Sequence, residues 1–254
     1  MKIIAIASMK GGVGKTTTTA NLAVVLSSGR TASQVAVIDL DPQNTLRLHF
    51  DCATRDNEGI CSHAVRQLPL RHVLHKTSSG VSCLPYGAAT EMERQAFEDL
   101  LEADPDWLMR EIRSLGLPED AYVLIDTPPG STSYLKQAFR SADFAFLIIL
   151  ADAASYLTLP AMEGWILDAI QTNPKLRFTY LMNQADNSLS LHRDLQDVLR
   201  LRLGDRLSPV SIHRDEAVSE AIAYQQVVID YDPHGQASHD LLRIGSWLAK
   251  QLAQ

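Results

Sequence analysis

Short runs of β-branched and other apolar residues recur along the chain and alternate with longer stretches in which apolar positions repeat with the period of a helix. Several of the short runs are apolar at consecutive positions, which is typical of strands buried on both faces of a parallel sheet. The predicted strands are Lys2–Ala7, Gln34–Asp39, Val81–Leu84, Tyr122–Asp126, Phe144–Leu150, Phe178–Asn183 and Pro209–Ile212. This alternation predicts an α/β fold with one doubly wound, mostly parallel sheet and helices on both faces.

No linker, repeat or low-complexity segment divides the chain, so residues 1–254 are predicted to form a single domain. The composition, 46% apolar and 21% charged, is typical of a globular protein and excludes a disordered or fibrous one. The net charge of −7 provides no general attraction to nucleic acid or anionic lipid. Nucleic-acid binding would therefore need a local basic patch, and the stretch from Thr45 to Ser79, which includes Arg55, is locally basic.

The cysteines, the N-terminus and the apolar runs indicate the cellular compartment of the protein. The three cysteines include no C-x-x-C pair, which indicates reduced thiols and gives no spacing for a zinc site. The N-terminus enters a predicted strand directly and lacks a signal-peptide pattern. The longest apolar run, Phe144 to Ala151, is far shorter than the ~20 residues that cross a bilayer as a helix. We therefore expect a cytoplasmic protein.

A glycine-rich segment follows the first predicted strand and opens a predicted helix. It reads Lys10-Gly11-Gly12-Val13-Gly14-Lys15-Thr16-Thr17. Such a loop turns successive backbone N–H groups toward phosphate oxygens, and the helix N-terminus adds partial positive charge. Lys15 is predicted to reach the β- and γ-phosphates, and the Thr16 hydroxyl to bind Mg²⁺. The segment from Gly11 to Thr17 is thus a predicted site for ATP and Mg²⁺.

The loop departs from the strict pattern G-x-x-x-x-G-K-[ST], because Met9 stands where the first glycine would be. A lysine before the paired glycines is the mark of the deviant Walker A loop, and here the chain resembles the ParA/MinD family of ATPases. The resemblance implies an ATP-dependent homodimer in which two subunits enclose two ATP molecules. It also implies that Lys10 reaches across to the other subunit's phosphates, as an arginine finger does. Lys10 would then couple dimerisation to hydrolysis.

Two further motifs lie at predicted strand ends. Asp39-Leu40-Asp41-Pro42-Gln43 is similar to the D-x-D-P-Q switch of the family. Alternate residues of an emerging strand share a face, so both carboxylates can point at one site. By the resemblance, Asp39 supports Mg²⁺ through water and Asp41 orients the attacking water. Val123-Leu124-Ile125-Asp126-Thr127-Pro128-Pro129-Gly130 resembles the Walker B strand with its switch, in which Asp126 would hold the water shell of the metal.

Two residues are candidates for binding the base. Asn183 ends a predicted strand where the family places an adenine-reading asparagine, and its amide can both donate and accept hydrogen bonds. The alternative is an asparagine that only starts a turn. Arg214, near the last predicted strand, is assigned to the same pocket. The run His213-Arg214-Asp215 is not interpreted as part of a catalytic triad, because no Ser or Cys lies in a nucleophile context.

Three segments outside these motifs resemble the BcsQ branch, the ParA-like ATPases of bacterial cellulose secretion systems. They are Asn44–Phe50, Cys83–Gly87 and Ile212–Glu220. The resemblance implies a slow, regulatory ATPase that works with a small protein partner to assemble or localise the cellulose synthase complex. Membrane contact would then be indirect, through partners at the inner face of the cell membrane or at the cell pole.

Chromosome or plasmid partition is one alternative. In that role the ATP-bound dimer binds DNA without sequence preference through Arg and Lys side chains. A basic strip could form from Arg193, Arg200, Arg202 and Arg206. Three aspartates interrupt this strip, so a solvated helix of mixed charge is the competing interpretation.

Two other roles within the ParA/MinD family each require a sequence feature, a membrane-binding tail or a pair of cysteines. A MinD-like role needs an amphipathic tail that binds membranes, whereas we expect the apolar stripe from Leu241 to Leu252 to pack in the core. A reductase relative with a shared iron–sulfur cluster needs two suitably placed cysteines. Cys52, Cys61 and Cys83 all precede the Walker B strand, so that arrangement does not fit.

Overall fold

The computed structural model describes residues 1–28, 34–50, 52 and 58–253, and these contain a seven-stranded sheet. The strands are β1 (Lys2–Ala7), β2 (Val35–Asp39), β3 (His75–Lys76), β4 (Val81–Leu84), β5 (Tyr122–Asp126), β6 (Phe144–Leu150) and β7 (Arg177–Asn183). Their order is β3-β4-β2-β5-β1-β6-β7, and only the β3–β4 pair is antiparallel. The predicted fold class is confirmed.

Helices cover both faces of the sheet. They are α1 (Lys15–Ser27), α2 (Ile60–Val65), α3 (Glu91–Ala103), α4 (Trp107–Ser114), α5 (Ser133–Ser141), α6 (Ala153–Thr172), α7 (Ser190–Leu203), α8 (Glu216–Ala223), α9 (Val228–Tyr231) and α10 (Gln236–Leu252). One apolar cluster joins the sheet to α2 through α7, and a second joins it to α1 and α8 through α10. The strands therefore have apolar side chains on both sides, as their continuous apolar runs predict.

The predicted strand Pro209–Ile212 is wrong. This segment runs beside β7, since the Ser208 N–H donates to the Tyr180 carbonyl at 2.8 Å and the Ile212 N–H to the Met182 carbonyl at 2.9 Å. Pro209 has no N–H to donate, and the N–H of Val210 donates to the Ser208 hydroxyl at 3.3 Å instead of to β7. The sequence analysis also missed β3, whose two residues are too few to give a periodic pattern.

The apolar stripe of α10 packs in the core, as expected. Leu241, Ile244 and Leu248 are buried, and α10 lies directly on α1. Gly245 allows this approach, because a Cβ at that position would lie only 2.4 Å from Cγ1 of Val25. Across the described ranges, no helix combines the length and the apolar character that a membrane span requires.

The locally basic stretch from Thr45 to Ser79 contains α2, β3 and two short 3-10 helices, Leu46–His49 and Leu70–Val73. Arg55 lies outside the described residues. The three cysteines are buried thiols. Within the part of the chain that the structure describes, no three His, Cys, Asp or Glu side chains are grouped to hold a metal ion by themselves.

Candidate functional site

The carboxyl ends of the central strands meet at one edge of the sheet. The order β5-β1-β6 puts β1 where the strand order reverses, which is where ligands bind in open α/β sheets. Asp39, at the end of β2, pairs with Asp126, at the end of β5. A cavity of about 620 Å³ opens at this edge, within the ~300–1,000 Å³ range of small-molecule sites.

The phosphate loop has a backbone that glycine allows. Gly12 and Gly14 have φ of +74° and +88°, in the left-handed region. A side chain at Gly14 is unfavourable for two reasons. The backbone there is left-handed, and a Cβ would lie 2.3 Å from Nδ2 of Asn183. The Ser8 hydroxyl donates to the Lys10 carbonyl at 2.6 Å and closes the turn before the glycines.

Lys15 lies at the start of α1 and is almost completely buried. Its Nζ donates to the Ser8 hydroxyl at 3.1 Å. Burial lowers the pKa of Lys15, while the negative charges of Asp126 and Asp41 oppose that shift. The ammonium group thus lies in a partly desolvated place beside two carboxylates, where an anion can bind it strongly.

Asp126 is fully buried at the end of β5. Its Oδ2 accepts a hydrogen bond from the Thr16 hydroxyl at 2.6 Å, and its Oδ1 has no hydrogen-bond partner among the described residues. Burial raises the pKa of this carboxyl to about 7. This carboxylate oxygen and the threonine hydroxyl beside the carboxylate together provide oxygen ligands that fit Mg²⁺ and its waters.

The two switch aspartates have different surroundings. Both carboxylate oxygens of Asp39 accept backbone hydrogen bonds, from Asp41 N at 2.9 Å and Leu46 N at 3.1 Å. Burial, followed by the nearby charge of Asp126, raises the pKa of Asp39 well above its usual range. Asp41 lines the cavity, and its Oδ1 accepts from Gln43 N at 2.9 Å. Asp39 therefore fixes the backbone of the switch segment through its hydrogen bonds to Asp41 N and Leu46 N. Its indirect support of Mg²⁺ stays a prediction.

Lys10 does not line the cavity of its own chain. Its Nζ lies 2.7 Å from Oδ2 of Asp152, a pair in which both side chains are about one-third exposed. Asp152 also caps α6, because its Oδ1 accepts from Ser155 N at 2.6 Å. Asp152 was missed by the sequence analysis; the aspartate three residues before Ser155 is a helix-capping signal, but it does not indicate a lysine partner.

Asn183 reaches the phosphate loop from the end of β7. Its Nδ2 donates to the Val13 carbonyl at 2.7 Å, and its Oδ1 accepts from the backbone of Gln184 at 2.9 Å. Asn183 and Gln184 both line the cavity. The residue thus holds the loop and borders the space in which a base could lie, while its role in reading adenine stays a prediction.

The segment from Ile212 to Asp215 forms another wall of the cavity, and the assignment of Arg214 to the base pocket stays a prediction. The Arg214 N–H donates to the Ala185 carbonyl at 3.0 Å. Asp215 caps α8, and its other oxygen accepts from Ala237 N at 3.1 Å. His213 pairs with buried Asp240 of α10, at 2.8 Å, and not with Asp215. No local pattern could have indicated that pair, since 27 residues separate its members.

Comparison with known proteins matches the chain to relatives over nearly its whole length. The cellulose biosynthesis protein BcsQ of Salmonella typhimurium is 27% identical over 250 residues, which cover 97% of this chain and 94% of the relative. The chromosome-partitioning ATPase Soj of Thermus thermophilus is 28% identical over 246 residues, covering 95% and 92%. The septum site-determining protein MinD of Pyrococcus horikoshii, solved with Mg-ADP, superposes with a TM-score of 0.78 at 24% identity and covers 99% and 97% of the two chains.

The family model described as "Cellulose biosynthesis protein BcsQ" matches residues 1–248. It spans the phosphate loop, both aspartate motifs and the segment Ile212–Glu220 that suggested this branch. The chain therefore belongs to the BcsQ family, within the ParA/MinD group of P-loop proteins.

Proposed function

We propose that the chain is an ATPase that works as a switch, forming a homodimer when Mg-ATP is bound. The observation that carries this proposal is the arrangement of Lys15, Thr16 and Asp126. A buried cation, a hydroxyl and a carboxylate oxygen that has no partner among the described residues meet at the phosphate loop. Bound Mg-ATP would supply the bond to be hydrolysed and the metal that neutralises its phosphates. Hydrolysis is proposed to be slow and regulatory.

Each residue then has a proposed task. The backbone from Gly11 to Thr17 holds the phosphates, and Lys15 neutralises their charge. Thr16 and Asp126 hold the metal and its waters. Asp41, which lines the cavity and is fixed by its bond to Gln43 N, orients the attacking water.

Lys10 is proposed to act on the other subunit. Its side chain is partly exposed and pairs with Asp152 outside the chain's own cavity. This position supports a role in which the ammonium group contacts a second copy of the chain. An exposed ion pair of this kind contributes only about 0–1 kcal/mol, so a phosphate of the second copy can compete for the lysine. Release of Asp152 would accompany dimerisation.

We propose that the dimer assembles or localises the cellulose synthase complex together with a small protein partner. Besides family membership, a surface supports a protein partner. Seven of the eleven large apolar side chains that are exposed in the described residues lie on α6, on α7 or just before α7. They are Tyr156, Leu157, Leu167, Leu189, Leu191, Val198 and Leu201. We propose that these residues, which we call the α6–α7 surface, form a protein interface.

The contacts of the arginines on and after α7 argue against DNA partition as the function. Arg202 and Arg206 both bind Glu163 of α6, at 3.0 and 2.9 Å. Arg200 pairs with Asp197 at 3.1 Å, and Arg193 donates to the Asn187 carbonyl at 2.6 Å. Three of the four arginines of the predicted basic strip thus face carboxylates, so the strip has mixed charge and should attract DNA phosphates less than four unpaired arginines would.

A capture experiment tests this choice. Asp41→Ala should retain ATP, so the variant is expressed in native cells and captured with ATP and Mg²⁺ before and after nuclease treatment. We expect cellulose synthase components or a small companion protein, unaffected by nuclease and lost when Leu157→Glu and Leu201→Glu are added. The matched control changes exposed Met92 to Glu, outside the α6–α7 surface. Recovery of bulk DNA that salt removes would instead favour partition and contradict the proposal.

A further inference from the structure

A chain of hydrogen bonds crosses from α7 to α10 past the cavity wall, and His213 is at its centre. Arg200 Nη2 donates to Gln196 Oε1 at 3.3 Å, and Gln196 Nε2 donates to Asn187 Oδ1 at 3.1 Å. Asn187 Nδ2 then contacts His213 Nε2 at 3.3 Å. On its other side, His213 Nδ1 lies 2.8 Å from Oδ2 of Asp240.

The ends of this chain determine which nitrogen of His213 carries hydrogen. Arg200 has only donors, so the oxygen of Gln196 must face it, and the amide of Asn187 must then turn its NH₂ group toward His213. His213 Nε2 is therefore an acceptor. Asp240 is 1% exposed and accepts at Oδ2 from both the backbone N–H and Nδ1 of His213, so the hydrogen is on Nδ1.

Asp240 holds the wall in place as well as the ring. The His213 N–H donates to it at 3.0 Å, and Gln236 Nε2 donates to its second oxygen at 3.0 Å. A buried carboxylate with three hydrogen bonds fixes its partners firmly. The ring of His213 remains about one-third exposed and lines the cavity.

The position of His213 in the cavity indicates which part of a ligand it would meet. The phosphate loop forms one part of the wall, and Ile212, Val218 and Leu241 form an apolar part beside His213. A nucleotide whose phosphates bind the loop must extend its sugar and base over these remaining walls. The contact from Asn187, which is exposed, is longer than the usual ~2.9 Å, so an O–H or N–H group of a nucleoside can take its place.

We propose that His213 is a nucleoside-binding residue that accepts a hydrogen bond through Nε2 from a ribose hydroxyl or an amino group of the base, and that Asp240 is the positioning residue that keeps Nε2 an acceptor. The proposal rests on the proposed function only in requiring that the cavity binds a nucleotide. It adds a selectivity determinant that acts away from the phosphates.

Calorimetry with Mg²⁺ tests this proposal. It measures the binding of ATP, inosine triphosphate, 2′-deoxy-ATP and 3′-deoxy-ATP. Each deoxy analogue lacks one hydroxyl donor, and inosine triphosphate lacks the 6-amino donor, with a carbonyl at that position and a hydrogen on N1. We expect the wild-type chain to bind one analogue roughly 3–10-fold more weakly than ATP, the size of one hydrogen bond. His213→Phe should bind ATP more weakly by the same factor and should no longer distinguish that analogue, whereas His213→Gln, which keeps an acceptor oxygen, should retain the distinction.

Asp240→Asn provides the second variant. Its amide can donate to Nδ1, which would turn Nε2 into a donor and remove the same distinction. His239→Phe is the matched control, because His239 is exposed on α10 and does not line the cavity. Because Asp240→Asn can also reduce folding, thermal melting is followed for every variant, and the His213 pair carries the test by itself.

The outcomes separate this inference from the proposed function. A wild-type chain that binds no ATP contradicts the proposed function. A wild-type chain that binds ATP but treats all analogues equally, or a His213→Phe variant that keeps the discrimination, overturns the inference about His213 and leaves the proposed function intact.

Discussion

The two sides of the cavity are built differently. On the phosphate side, Lys15 donates to Ser8 and Thr16 donates to Asp126, and the charged groups of Lys15, Asp41 and Asp126 are buried. On the nucleoside side, Asn183 and residues 212–215 are held by hydrogen bonds to backbone or to side chains of distant elements, and His213 is partly exposed. If the proposed function holds, we expect the phosphate side to supply most of the binding energy and the nucleoside side to supply selectivity.

The largest effect should come from the phosphate side. Lys15→Ala is expected to weaken ATP binding by roughly 100-fold, because it removes a buried cation that can form charge-assisted bonds to phosphates. Calorimetry with Mg²⁺ measures this, and exposed Lys250→Ala is the matched control. A loss of less than about threefold would mean that the phosphate side does not dominate binding.

Gly14 joins the two sides, and its substitution should be the next in size. Gly14→Ala is expected to lower the free energy of unfolding by about 2 kcal/mol, through its positive φ and its collision with Asn183. Gly116→Ala is the control, because Gly116 has φ of +72° but no atom within 4 Å of its added Cβ.

The collision has its own test in urea denaturation. Adding Asn183→Ala to Gly14→Ala should recover part of the lost stability, since it removes the Nδ2 group that the new Cβ would meet. Equal losses for Gly14→Ala and Gly116→Ala, without recovery in the double variant, would show that the two sides are not in tight contact.

A smaller effect is expected in the pH dependence of stability. The carboxyl of Asp126 has its pKa raised to about 7 by burial, so the folded chain keeps this proton after the unfolded chain has lost it near pH 4. In EDTA and without nucleotide, the unfolding free energy should therefore fall by about 1 kcal/mol per pH unit as the pH rises from about 4 to about 7.

Asp126→Asn should reduce that slope. It should not abolish the slope, because the pKa of Asp39 is also raised and acts in the same direction. Exposed Asp120→Asn is the control for the loss of one carboxylate. A slope that is unchanged in Asp126→Asn would contradict the assignment of this buried carboxyl.

The two sides also differ in how far the sequence predicts them. The phosphate loop is contiguous and the aspartates end regular strands, so local spacing was enough to predict that Lys15 and Asp126 lie close to the loop, where Asp126 accepts from Thr16. On the nucleoside side, Asn183 contacts Val13 across 170 positions, and Asp240 contacts His213 across 27. Such contacts depend on how helices pack on the sheet, which periodicity does not encode. The error at Pro209–Ile212 has a different, local cause, because Val210 bonds to Ser208 instead of to β7.

We propose above all that Mg-ATP joins two chains through Lys10. Light scattering of Asp41→Ala with saturating Mg-ATP and with Mg-ADP tests it directly. We expect twice the monomer mass with ATP. Once Lys10→Ala is added, we expect monomers with ATP, although that double variant should still bind the nucleotide. Monomeric Asp41→Ala under saturating Mg-ATP, or an unchanged dimer after loss of Lys10, would contradict it.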